Sequence, residues 1–109
     1  MVKAVYIDTH GQLIQINIDM NNFKAPQKFL KTDDVTFVGA IGDLVLIASN
    51  DKFGDSDNLN TTNIPRLLGH EENIYGDILV LNMDGMDAKD VDVNQFEFAL
   101  KERLEENEL

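Results

Sequence analysis

The chain contains no cysteine, which excludes thiol catalysis, thiolate metal sites and disulfides. No apolar run approaches the roughly 20 residues that a membrane helix needs. The opening MVKAVYIDTH has an acidic residue by position 8 and no long apolar core, so no signal peptide and a cytoplasmic location are expected. Basic residues are also few: nine Lys and Arg stand against twenty Asp and Glu, a net charge of −11. The excess is uneven. Residues 1–76 carry ten acidic and six basic side chains, and residues 77–109 carry ten and three. Such a field opposes approach to phosphate backbones, so direct nucleic-acid binding is not expected. It reads either as ordinary solubility or as a surface offered to a basic partner, such as a nuclease groove.

Catalytic constellations are equally scarce. His10 and His70, the only imidazoles, each sit beside glycine without the HExxH spacing of a zinc site. Ser49 and Ser56, the only serines, lie outside any GxSxG elbow. The glycines form no phosphate loop. A calcium loop starting at Asp51 would need ligand and glycine positions that Phe53 and Ser56 occupy; one starting at Asp84 meets Met86 and Ala88. Paired carboxylates are too abundant for any pair to stand out. No enzyme, metal or cofactor is expected.

What is present is a foldable pattern. A chain of 109 residues, 43% apolar, fits one domain with a core of its own. VKAVYID (2–8) reads as a strand covered on both faces. After the turn at Gly11 comes LIQINI (13–18), with Ile14, Ile16 and Ile18 on one apolar face. A short helix is expected over 25–31, started by Pro26, with Phe29 and Leu30 inward and Asp33–Asp34 at its end. VTFVGAI (35–41) and LVLIA (44–48) flank a Gly42–Asp43 hairpin. Residues 49–63 lack periodicity and read as a loop. In NIPRLLG, Asn63 reads as an N-cap, Leu67 and Leu68 as core, and Gly69 as the left-handed stop. Gly76–Asp77 opens a strand over 78–81, Asp84–Gly85 makes a turn, and Asp90 or Asp92 caps a last helix over about 92–105. Its inward stripe is Val93, Phe96, Leu100 and Leu104. Four glutamates crowd its C-terminal end, so fraying over 105–109 is expected. The order β-β-α-β-β-α-β-α predicts a single α+β domain, a mixed, mainly antiparallel sheet with helices packed on it. The aromatics fall mostly at core positions, Phe37 among them. Phe53 and Phe98 do not, and read as lids over the core or as anchors for a partner or a second subunit in a homodimer.

The segments VTFVGAIGDLVLIASNDKFG, LNTTNIPRLLG and IYGDILVL, with the opening VKAVYIDTHGQLIQINI, resemble an uncharacterised domain-of-unknown-function family common in bacteriophages, prophages and plasmids. The shared pattern is an apolar strand pair, an asparagine before a short helix, and a Gly-Asp strand. Arg66 departs from it, standing where a small residue is usual, and either Asn60 or Asn63 matches the asparagine. The resemblance implies a mobile-element origin without an assigned activity. Small acidic phage proteins of this kind often look like inhibitors of host defence.

Three functional readings follow. In the first, the chain is a non-enzymatic module that engages a host protein with a basic surface, through Asp84, Asp87, Asp90, Asp92 and Glu97. In the second, it binds a small molecule in a pocket between the 49–63 loop and the 70–76 connector, with Asp51, Phe53, Asn60, Asn63, His70 and Tyr75 around it. In the third, it is a structural domain without a separate site.

Overall fold

Period-two alternation builds the first hairpin, in which β1 (Val2–Ile7) and β2 (Leu13–Ile18) pair antiparallel from Val2–Ile18 to Ile7–Leu13. The second hairpin joins β3 (Val35–Ile41) to β4 (Leu44–Ser49) across Gly42, whose φ of 57° is the left-handed conformation that glycine adopts without strain. The computed structural model describes residues 1–22, 24–50 and 59–107, with side chains through Glu105. The readings placed on Asp51, Phe53 and Ser56, and the fraying expected at 108–109, lie outside these residues.

The two hairpins are joined by β5 (Ile78–Asp84), which lies between β1 and β4 in the order β2-β1-β5-β4-β3. A sixth strand, β6 (Asp87–Lys89), pairs with the far end of β5, and every pairing is antiparallel. The sheet carries α1 (Ala25–Leu30) on one face; α2 (Ile64–Leu67) and α3 (Val93–Asn107) take the other. The domain is α+β, as its sequence predicts, in three layers with two cores.

Central position explains why ILVL carries no polar face. Ile78 and Val80 pack with Val5, Ile7, Leu46 and Phe96 on the α3 side. Leu79 and Leu81 pack with Ala4, Ile18 and Leu30 on the α1 side. Phe96 is wholly buried, which stabilises the fold by up to about 3 kcal/mol relative to leaving the ring in water.

Several local expectations differ from what forms. The sequence reading has no β6, and β5 runs on to Asp84 instead of ending at Leu81. Lys31, not Asp33–Asp34, stops α1: it takes a left-handed φ of 55°, and the Thr32 N–H donates back to the Gln27 carbonyl at 3.0 Å. The Asn63 side chain makes no cap bond; Thr62 Oγ1 accepts from the Ile64 N–H at 3.4 Å instead. Leu67 is 37% exposed, and the inward residues of that turn are Ile64 and Pro65. Phe37, expected in the core, is 61% exposed because β3 is an edge strand with a bulge between Phe37 and Gly39.

Candidate functional site

The five carboxylates singled out in the sequence are all exposed, but three of them have local work. Asp84 ends β5 and bonds the Lys89 ammonium at 2.9 Å. That contact, by hydrogen bond and then by charge, raises the Lys89 pKa, with Asp43 and Asp87 adding to it. Both groups are mostly in water, so the pair adds little stability. Asp87 lies directly across from Asp84 in the β5–β6 register, a like-charge juxtaposition that opposes the hairpin. Asp90 Oδ1 accepts the Lys3 N–H at 2.8 Å, and its carbonyl accepts Asn82 Nδ2 at 3.0 Å. Asp92 Oδ1 accepts the Gln95 N–H at 2.6 Å and caps α3.

The lead into α3 is clamped by a residue that sequence reading missed. Gln15 Nε2 donates to the Ala4 carbonyl at 2.8 Å and the Val91 carbonyl at 3.0 Å, while Gln15 Oε1 accepts the Val93 N–H at 2.9 Å. One amide therefore ties β2 to β1 and to the first residue of α3. Along that helix Phe96 points into the core, so Phe98, about 200° further round, points away from it. Phe98 is 63% exposed. Lys101, Glu102 and Glu105 fall on the same outward side and are exposed.

The described residues of the second candidate set, Asn60, Asn63, His70 and Tyr75, come from two segments stitched together by Asn60, which is only 7% exposed. Its N–H donates to the Ile74 carbonyl at 2.8 Å and its Nδ2 to the Gly76 carbonyl at 2.9 Å, while its Oδ1 accepts the Thr62 N–H at 3.0 Å. That amide is spent on backbone. A recess of about 160 Å³ beside it is lined by Asn63, Arg66, Glu72 and Asn73, with Arg66 Nη2 donating to Asn73 Oδ1 at 3.4 Å. His70 and Tyr75 line an adjoining recess of about 60 Å³ that shares the Glu72–Asn73 wall. Both recesses together are small beside the 300–1,000 Å³ of ordinary ligand pockets.

Asp77 is tied back to β1, where the Tyr6 hydroxyl donates to its carboxylate. Burial first, then that bond and the charges of Asp77 and Asp8, raise the Tyr6 pKa above its ordinary range. Among the described residues no three His, Asp or Glu side chains converge as metal ligands, and no helix is long and apolar enough to cross a membrane. No protein-family model matches the chain, and no curated protein or solved structure does so either.

Proposed function

We propose that this chain is a non-enzymatic accessory protein that binds another protein through the outward face of α3 and the neighbouring β6 hairpin. One observation carries the reading: Phe98 stands 63% exposed in the middle of a helix face whose other side chains are polar or charged. The core is complete without that ring, since Phe96, Val93 and Leu100 fill the inward side. A large exposed aromatic within a polar rim is the composition of an interface anchor.

Charge supports the same surface. Residues 90–107 carry six acidic and two basic side chains, whereas residues 19–34, around α1, carry three of each. The α3 side is therefore the more negative one, and it suits a partner with a basic rim around an apolar pocket. Glu97 and Asp87 remain exposed for this role, while Asp90 and Asp92 are committed to backbone N–H groups. The narrower form of the proposal is a mobile-element protein that inhibits a host nuclease or defence system by charge mimicry; the net charge of −11 and the family resemblance together motivate it.

Capture from bacterial lysate at low and high salt, with Phe98→Ser and Glu102→Lys variants alongside, tests the surface. The expected result is a partner retained at low salt, lost at high salt and lost in Phe98→Ser. A partner indifferent to both salt and Phe98, or no partner, refutes the proposal.

A second reading, a small-molecule site at the paired recesses, is favoured by the meeting of the 59–63 and 70–76 segments around Asn63, Arg66, Glu72 and His70. Native mass spectrometry of protein purified from cells decides it. A retained ligand, lost in Arg66→Ala, supports that reading; none retained counts against it.

A further inference from the structure

We infer that an open recess beside α1 binds a small phosphomonoester, on the face of the sheet opposite α3 and independently of that proposal. Residues 24–32 hold three of the nine basic side chains and no acidic one, and no other nine-residue stretch of the chain does so. Lys24, Lys28 and Lys31 all line this recess of about 320 Å³, together with Gln27, Thr32 and Asp33. That volume reaches the range of ordinary ligand pockets, which the recesses beside Asn60 do not.

The fold fixes the cluster in place. Ala25 and Leu30 are buried under α1 and Phe29 packs against the same core, which sets the rotation of the helix. Positions 24, 28 and 31 recur at helical spacing, and all three lysines are exposed. Lys31 is held at its left-handed φ, with its N–H donated to the Lys28 carbonyl at 3.3 Å. The Gln27 carbonyl likewise accepts the Thr32 N–H. These end carbonyls of α1 therefore have backbone donors and do not need the lysine side chains. Among the described residues Lys28 and Lys31 form no ion pair, although Asp33 stands in the same wall and the chain has twenty acidic residues.

Charge names the ligand. Three lysines and one aspartate leave two positive charges in the wall, and a phosphomonoester carries about 1.5–2 negative ones at neutral pH. Asp33 repels a second phosphate and accepts a hydroxyl of the ligand's body, so a hydroxylated monoester suits the recess better than a pyrophosphate. A nucleic-acid strand suits it least, because a net charge of −11 repels each further phosphate that the strand brings. The ammonium groups stay in water, so the affinity is millimolar.

Amide NMR titration of the full chain with ribose 5-phosphate tests this, alongside inorganic phosphate, ribose, sodium chloride at equal ionic strength and a single-stranded oligonucleotide. The expected result is a saturable shift confined to residues 24–34 for ribose 5-phosphate, weaker for phosphate, and absent for ribose and chloride. Lys28→Gln and Lys31→Gly, the latter at a φ that glycine adopts freely, should each weaken binding about three- to fivefold. Lys101→Gln, on α3, should leave it unchanged. Shifts that chloride reproduces, that spread over the other lysines, or that survive Lys28→Gln and Lys31→Gly together overturn the inference. So does an oligonucleotide that binds more tightly than ribose 5-phosphate, or inorganic phosphate that binds as tightly.

Discussion

Gln15 sits on a strand face where sequence alternation calls only for polarity, yet it makes three hydrogen bonds that join β1, β2 and the first residue of α3. Truncation to alanine removes all three. Each is worth about 0.5–1.5 kcal/mol net when fully formed inside a protein. Gln15 is exposed, so water can reach the carbonyls of Ala4 and Val91 and the N–H of Val93 once the amide is gone. The lower end of the range therefore applies, and Gln15→Ala should cost about 1–2 kcal/mol. In a domain of this size that lowers Tm by about 4–8 °C. Urea denaturation gives the free energy, and amide exchange supplies the specific sign. Val93 and the first turn of α3 should lose protection before the sheet does, because Gln15 holds that end of the helix. Asn17→Ala, two residues along the same face and exposed, is the control and should stay within about 0.5 kcal/mol of the parent. If Gln15→Ala matches Asn17→Ala in both stability and exchange, the clamp contributes nothing and the reasoning fails.

Two further perturbations test the packing and the titration. At Gly39 an added Cβ would stand 3.1 Å from Leu68 Cδ1 and 3.2 Å from Leu68 Cβ, so Gly39→Ala should destabilise by about 1–2 kcal/mol through overpacking. A Leu68→Ala background removes the Cδ1 contact and keeps the Cβ one, so there the same change should cost less, and equal costs in both backgrounds, measured by a double-mutant cycle, would refute the contact. The Tyr6 hydroxyl, half-buried on Asp77, ionises at higher pH in the folded chain than in the unfolded one. Its contribution is therefore fully present below the unfolded value of about 10 and falls away as pH rises above it. Tyr6→Phe should lose about 1 kcal/mol at neutral pH and show a shallower alkaline decline. Identical alkaline slopes for the two proteins would show that Tyr6 is not the responsible group.

The first five strands were legible because each is an apolar run with period two or none, and glycines at positive φ mark several of their ends: Gly42 follows β3, Gly76 precedes β5 and Gly85 follows it. The α3 stripe was legible for the matching reason at period 3.6, and so was the Asp92 cap, a purely local bond. What sequence could not carry was pairing at a distance. Asp-Ala-Lys has no strand character of its own; it becomes β6 because a turn at Gly85 lays it against Asn82–Asp84. Asp90 reads as a free surface charge until the fold brings it to the Lys3 N–H, 87 residues away. Phe37 alternates like a core residue, and only the strand order and the bulge reveal that it stands at an edge. Asn63 ranks above Thr62 as a cap by residue type, yet Asn60 holds the Thr62 N–H and sets the geometry in which Thr62 Oγ1 takes the bond.

The contact at α3 carries two contributions that salt separates. Attraction between the carboxylates of α3 and a basic partner is screened at higher ionic strength, where the Debye length falls toward about 3 Å at 1 M, so capture should weaken as salt rises. Burial of the Phe98 ring, 63% exposed in the free chain, is apolar and is not screened in that way. Phe98→Ser should therefore lower capture at every salt concentration without changing its slope against salt, whereas Glu102→Lys should flatten that slope. If Phe98→Ser alters the slope, or Glu102→Lys leaves it untouched, the division of this face into an apolar anchor and a charged rim is wrong.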